Sequence, residues 1–456
     1  MRLSFSVAYL LLLCISHITA SPLETPQEIR VQLTTKSSLS PIYTSYIVAS
    51  DDTLQSSYLK ELERILEYDF QYNGKTQVVA HSQEKERMLV SKDTAVAFNI
   101  PKWKASGIPY VVQLSVKNKK VTASICNVVT GSVKVFSDTV LSGRLQEDRR
   151  QVHKLADAIY CALFQENGIS SSRILYSYQN KAFDDSSKNV AEIWECDWDG
   201  SNSSQVTHEN TYCISPVLIP KGGAFHQDMF LYVSYKSGQP KIFISSFKGS
   251  IGQKAVDLRG NQLLPAISQN RDMMAFICDA SGRADLFVQP IQPENGRMGT
   301  PVQLFSFPRS TQASPTFSSD GSKIAFASDK DGSTRIYIIP TRRGEKRAIP
   351  QLITKKNREN SCPSWSPDGT KLAYSAKTEG IRQIWIYDFI SGEEYQLTSG
   401  SGNKENPCWA ANNLHLVFNS TDSHMSDLYL VNLNQTDAIK ITNGPGKKHY
   451  PSWGPR

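Results

Sequence analysis

The sequence predicts a mostly β protein: a six-bladed β-propeller preceded by a small α/β domain. Three observations carry that prediction. "CPSWSPDGTKLAYSA" (Cys362–Ala376) nearly repeats "SPTFSSDGSKIAFAS" (Ser314–Ser328). Prolines recur at Pro216, Pro265, Pro315, Pro363, Pro407 and Pro451, at propeller-blade spacing. The first unit opens on its second strand, and its missing first strand is the chain's last segment.

Each unit reads as four strands. The first holds the repeated proline. The second carries an aromatic: Tyr176, Tyr232, Phe276, Phe326, Tyr374 and Phe418. The third carries another, at Trp194, Phe243, Phe287, Tyr337, Trp385 and Tyr429. A polar-flanked fourth strand closes most units, at Thr207, Thr354, around Leu397 and at Thr442. The turn in "SPDG" follows from its residues: Pro367 presets φ, and Asp368 and Gly369 complete a type I turn. A four-stranded sheet cannot bury both faces alone; stacking sheets radially covers them, and ring closure removes the long edges. "RILYSY" at Arg173 lacks an inner partner, and "HYPSWGPR" at the C-terminus lacks a blade. The two should pair and close the ring.

Residues 22–168 lack the repeat. "TLQSSYLKELERILEYDF" places Leu54, Tyr58, Leu62, Ile65 and Leu66 on one helical face, with Asp52 as an N-cap candidate. "LQEDRRQVHKLADAIYCALF" does the same through Val152, Leu155, Ala156, Ile159 and Leu163, and Gly168 follows its end. Between them, "PYVVQLSV", "KVTASICNV" and "SVKVFSD" read as a strand meander. Ser21–Thr35 reads as an edge strand or a mobile tail.

The first twenty residues read as a cleavable secretory signal: Arg2, an apolar run from Leu3 to Ile15, then small Ala20. Bulky Leu13 before Cys14 argues against a lipoprotein signal. No later stretch is long and apolar enough to cross a membrane. The domains are therefore expected at 1–20 (signal), 21–168 (α/β, with an N-terminal arm) and 169–456 (propeller), in an exported protein.

The net charge of +7 comes from mixed acids and bases with no dense basic stripe, so nucleic-acid binding is not expected. Seven cysteines remain beyond the signal, with no CxxC pair, so no metal site is expected from them. Cys196 and Cys213 are a possible disulfide; buried thiols are the alternative. Asn202, Asn419 and Asn434 each open an N-x-S/T sequon. There is no G-x-S-x-G, HExxH or P-loop. His153 and His226 read as packing or surface residues. The carboxylate pairs Asp197/Asp199 and Asp329/Asp331 read as turn residues rather than calcium ligands. No catalytic residue and no cofactor is expected. The segments leading into the inner strands, "NTYCISP", "NQLLP", "STQASP", "RENSCP", "KENP" and "KKHYP", are polar and unrepeated, as a binding face requires.

The chain resembles the TolB family, the periplasmic component of the Tol–Pal system of Gram-negative envelopes. The resemblance rests on the signal peptide, the α/β domain, the "WSPDGTKLAY"-type repeats, "WKASGIPYVV" (Trp103–Val112), "RILYSY" and the terminal "YPSWGPR". It implies a non-enzymatic, monomeric periplasmic protein. Such a protein binds the peptidoglycan-associated lipoprotein Pal at the propeller mouth and TolA through the mature N-terminus, and supports envelope integrity and cell division. Carried over, Gln312, Ser314, Asn360, Ser361, Glu405, Asn406 and His449 line the mouth, and Glu28, Arg30 and Gln32 belong to the arm. "WAANN" (Trp409–Asn413) and "LIPKGGAFHQ" depart from SPDG, and "EIRVQLTT" matches the family's N-terminus only loosely. The rival function is an exported propeller hydrolase or lyase with a mouth active site, for which Glu359, Glu405 and His449 are the suggestive residues. A third reading is an obligate cap for another exported protein.

Overall fold

A computed structural model describes residues 38–89, 98–180, 190–222, 228–249, 251–293, 297–342 and 348–456. The signal segment, the arm residues Glu28, Arg30 and Gln32, and His226 lie outside them. The α/β region and the propeller form one compact unit over Ser37–Arg456. Among the described residues no helix is long and apolar enough to cross a membrane.

The α/β region is a five-stranded sheet. β1 (Ser40–Ala49) lies parallel to β2 (Thr76–Val78) on one side and to β3 (Tyr110–Lys117) on the other. β3, β4 (Lys120–Asn127) and β5 (Ser132–Val140) continue as an antiparallel meander. The sequence reading found the meander but missed β1, β2 and two short helices, α2 (Gln83–Leu89) and α3 (Ile100–Ala105).

α1 (Ser56–Tyr72) and α4 (Leu145–Phe164) pack on one sheet face through Leu59, Leu62, Ile65, Leu66, Phe70, Val152, Leu155, Ala156 and Ile159. Asp52 does not cap α1, because the helix begins later, with Gln55 at the N-cap and no side-chain cap bond. The opposite end of α1 is finished by the propeller. His415 Nε2 donates to the Tyr72 carbonyl at 2.7 Å, Gln435 Nε2 to Gln71 at 3.0 Å, and Asn434 Nδ2 to Gly74 at 2.7 Å. Carbonyls that a helix C-terminus leaves orphaned are thus satisfied by a neighbouring sheet.

The remaining strands, among the described residues, form five sheets, one of them eight-stranded; divided at its single parallel bridge, Ser426↔Lys447, it gives two antiparallel sets, and we read the resulting six sets as blades. Blade 1 joins Lys447–Gly454 to Arg173–Gln179, Glu192–Asp197 and Ser204–Gln205. The inner strands of blades 2 to 6 are Cys213–Leu218, Gln262–Ile267, Gln312–Phe317, Asn360–Trp365 and Asn403–Trp409. Each inner strand packs beside the next, and Lys447–Gly454 packs beside Cys213–Leu218, so the ring closes. The closure is antiparallel pairing from Lys447↔Gln179 to Gly454↔Arg173. It brings the two ends of the repeat into one blade, as their phase requires.

Inside each blade the two repeated aromatics face one another across the second and third strands: Tyr176↔Trp194, Tyr232↔Phe243, Phe276↔Phe287, Phe326↔Tyr337, Tyr374↔Trp385 and Phe418↔Tyr429. In the Tyr232/Phe243, Phe276/Phe287, Phe326/Tyr337 and Phe418/Tyr429 pairs the rings meet directly, which adds to burial. The turns explain the remaining motif. Gly321 N bonds Ser318 O and Gly369 N bonds Ser366 O, both at 2.9 Å, with the glycines at φ 71° and 76°. "WAANN" makes the same reversal with Asn413 at φ 57°, and the third blade does so with Arg271 at φ 63°, in place of Gly321 and Gly369.

Candidate functional site

The inner strands carry one irregularity six times. The residue before the repeated proline has a left-handed backbone in every blade: Ser215, Leu264, Ser314, Cys362, Asn406 and Tyr450, at φ between 48° and 54°. At these positions each inner strand also slips its register against the second strand. A bulge of this kind re-aims side chains and is costly before proline, so its sixfold recurrence is a built feature. No sequence pattern announces it, because five different residue types occupy the six positions.

The bulge sorts the inner-strand residues into layers. Three places before the proline stand Cys213, Gln262, Gln312, Asn360, Lys404 and Lys448, and all six are buried. Their side chains plug the loop arriving from the preceding blade. Gln262 Nε2 donates to the Leu258 carbonyl at 2.8 Å, and Asn360 Nδ2 to Thr354 Oγ1 at 2.9 Å and to the Asn357 carbonyl at 2.8 Å. Lys404 Nζ reaches the carbonyls of Gly400, Ser401 and Gly402 at 3.2, 2.7 and 3.1 Å. Gln312 Nε2 meets Ser310 Oγ at 2.9 Å. Gln312 and Asn360 are 1% and 0% exposed, so the structure places these two sequence-derived candidates within the scaffold. Their polarity serves loop carbonyls and hydroxyls rather than an exposed surface.

Two places before the proline the layer is chemically divided, and half-buried except at Ile214, which is buried in the core. Blades 2, 3 and 4 present Ile214, Leu263 and Ala313; blades 5, 6 and 1 present Ser361, Glu405 and His449. The bulged ring lies next to it. Ser314 Oγ is 3.9 Å from Cys362 Sγ of the next blade, and Asn406 Nδ2 donates to Asn419 at 2.8 Å. Tyr450, like Tyr212, Tyr235 and Leu263, packs against the core cluster that includes Ile214, which extends the apolar arc. These segments lie within the strands themselves rather than in loops leading to them.

Arg382, which the sequence reading did not single out, organises the polar arc. Its guanidinium lies 3.4 Å from Glu405, 4.0 Å from Glu359 and 3.2 Å from Ser361 Oγ. Burial raises the Glu405 carboxyl above the usual range, with Arg382 pulling the other way. Burial, with Lys447 nearby, pushes His449 down to about 4, so it is neutral at physiological pH. The two carboxylates are thus held by one guanidinium, and His449 makes an aromatic contact with Tyr450 at 5.9 Å.

Among the described residues, the three groups His153, Asp197 and Asp199 come close enough to hold a metal ion. Arginines already occupy those carboxylates: Arg149 on Asp199, and Arg456 at 2.8 Å and Arg150 at 3.7 Å on Asp197. That is an ion-pair network rather than a cation site. Cys196 and Cys213 are both free thiols, in different core clusters, so the disulfide is not formed. Burial raises both thiols, which keeps them protonated and inert.

A family profile described as the TolB beta propeller domain matches residues 160–456. The chain is 44% identical over 387 residues to a protein named TolB homolog from Protochlamydia amoebophila, covering 82% of this chain and 81% of that one. A TolB homolog from Chlamydia trachomatis serovar D is 34% identical, with 86% and 84% covered. The crystal structure of TolB from Acinetobacter baumannii superposes with a TM-score of 0.71 at 21% identity, over 92% of this chain and 97% of that one; this is a likeness of fold. With the profile spanning the blades and relatives matching across most of its length, the chain belongs to the TolB family.

Proposed function

We propose that the protein is a non-enzymatic interaction component of the Tol–Pal system, acting as a monomer in the periplasm after loss of residues 1–20. In this reading the propeller (169–456) captures the peptidoglycan-associated lipoprotein Pal at the inner ring. The arm of the α/β domain (21–168), with Glu28, Arg30 and Gln32, engages TolA. Together the two contacts support outer-membrane integrity and cell division. One observation carries the reading: a sixfold scaffold repeats its bulge while varying the side chains beside it, giving an apolar arc of Ile214, Leu263 and Ala313 facing a polar arc of Ser361, Glu405 and His449. A surface that is structurally constant and chemically varied suits recognition of one partner segment.

The test is a pull-down from cross-linked envelope extract with the mature protein and with Ala313→Arg and Ser361→Arg. These positions are better choices than Ser314 or Asn406, whose left-handed backbone would mix folding with binding. The wild type should capture a peptidoglycan-associated lipoprotein, and the variants should lose it at unchanged melting temperature. Equal capture by all three would move the site elsewhere.

A further inference from the structure

The seam between the α/β region and blade 1 holds charged groups that the mouth does not use. His153 on α4 is 1% exposed. Its Nδ1 lies 2.8 and 3.0 Å from the two carboxylate oxygens of Asp69 on α1. Asp69 also accepts the indole N–H of Trp198, in the turn after Glu192–Asp197, at 2.9 Å. The second imidazole nitrogen, Nε2, is buried with no hydrogen-bond partner and faces the Asp199 carboxylate at 3.7 Å. Both nitrogens therefore look at carboxylates, one from each side of the seam.

The remaining charges are placed consistently. Arg149 and Arg150 of α4 reach Asp199 and Asp197. Asn202 Nδ2 donates to Asp197 at 2.6 Å, and the C-terminal Arg456 reaches Asp197 at 2.8 Å. Tyr68 of α1 and His415 of blade 6 pack edge-on to Trp198 at 5.4 and 6.3 Å. His415 is itself kept neutral, pushed down to about 4 by burial.

We propose that His153 is a buried imidazolium that latches the α/β region to blade 1, and that losing its proton loosens this seam. A neutral imidazole would keep one bond to Asp69 and leave Nε2 unprotonated beside a carboxylate, which is repulsive in a buried site. Burial alone would lower the His153 value, but Asp69, then Asp199 and Asp197, raise it overall. Burial lifts Asp69 to about 6 against the opposing pull of His153. Both shifts have one sign: the folded seam binds more protons than the unfolded chain. The His153 share of the stabilisation is fully present below the ordinary histidine value and is lost as pH rises through the raised one, whereas the Asp69 share is lost lower, as pH rises through about 6.

The experiment follows the His153 ring carbon signal by NMR in the wild-type protein while amide exchange is read across 145–164 and 192–205 over the same pH series. The latch predicts a charged ring at pH 7. It also predicts protection in both segments falling together by about tenfold beyond intrinsic exchange as the ring deprotonates. Asp69→Asn should lower the ring's midpoint, and His153→Gln should remove the pH dependence of protection. A ring that titrates at or below the ordinary value overturns the proposal. So does protection that stays constant after the proton is lost.

Discussion

The residue beside each repeated proline separates scaffold from surface. Position by position, the polar "preface" of a blade alternates between a buried plug, a half-buried display residue and a strained bulge. Lys404 shows what a plug does: at 5% exposure its ammonium is held by three carbonyls of the preceding loop. Lys404→Met should cost about 1–3 kcal/mol in urea unfolding, the usual range when backbone acceptors lose a charged donor. Partner capture should be unchanged. Loss of capture with unchanged stability would instead make Lys404 part of the site. Residue roles were the least legible feature of the sequence. Of the mouth candidates that the resemblance implies, Ser361, Glu405 and His449 are half-buried at the ring, whereas the equally polar Gln312 and Asn360 are buried. Only the bulge distinguishes them, and a bulge that accepts Ser, Leu, Cys, Asn and Tyr leaves no compositional trace. Arg382 was missed for a related reason: it lies near the start of a third strand, 21 residues from Ser361, the nearest residue it serves.

At the scale of the element, each blade repeats its chemistry as well as its pattern. Four threonines, each two residues past the end of a fourth strand, clasp the third strand. Thr207, Thr354, Thr398 and Thr442 accept the backbone N–H of Ile193, Ile336, Ile384 and Leu428 at 2.9, 3.1, 2.9 and 2.9 Å. Thr354→Val keeps the shape and removes the acceptor, so a buried N–H is orphaned at a cost of about 1–3 kcal/mol. Denaturant melts of Thr354→Val and Thr354→Ser measure it; serine should recover most of the loss, and equal losses would show that packing, not the bond, matters. The blades were legible because period-2 alternation, paired aromatics and Asp-Gly turns are local signals. The α/β region was less so. β1 enters the middle of a parallel arrangement whose partners, Thr76–Val78 and Tyr110–Lys117, lie far along the chain. Its neighbours are set by packing against α1 and α4, not by any local turn. The helices were found by their apolar faces, but the start of α1 fell later than the Asp52 cap implied, because Leu54 packs before the helix begins.

At the scale of the molecule, one closure and one seam organise the whole. Lys447–Gly454 completes blade 1, so the last residues of the chain hold the first strand of the propeller. Trp453 fixes that joint, its indole N–H donating to Ser172 at 2.6 Å just before Arg173. Beyond the strand, Arg456 reaches Asp197 and joins the charge network that faces α4. The α/β region is held from two blades at once: blade 6 caps α1, and blade 1 meets α4 across His153. The inner ring remains free of these structural duties in its half-buried layer, which is why that layer can vary while the scaffold does not.

The most direct test of the central claim is a binding titration between the purified mature protein and the soluble domain of a peptidoglycan-associated lipoprotein from the same bacterium. It is run with wild type, Ser361→Arg and Ala313→Arg. The account predicts saturable binding by the wild type and at least a hundredfold weaker binding by both variants, about 2.7 kcal/mol or more, with no change in melting temperature. Binding that is equally tight in all three, or absent in the wild type, would contradict it.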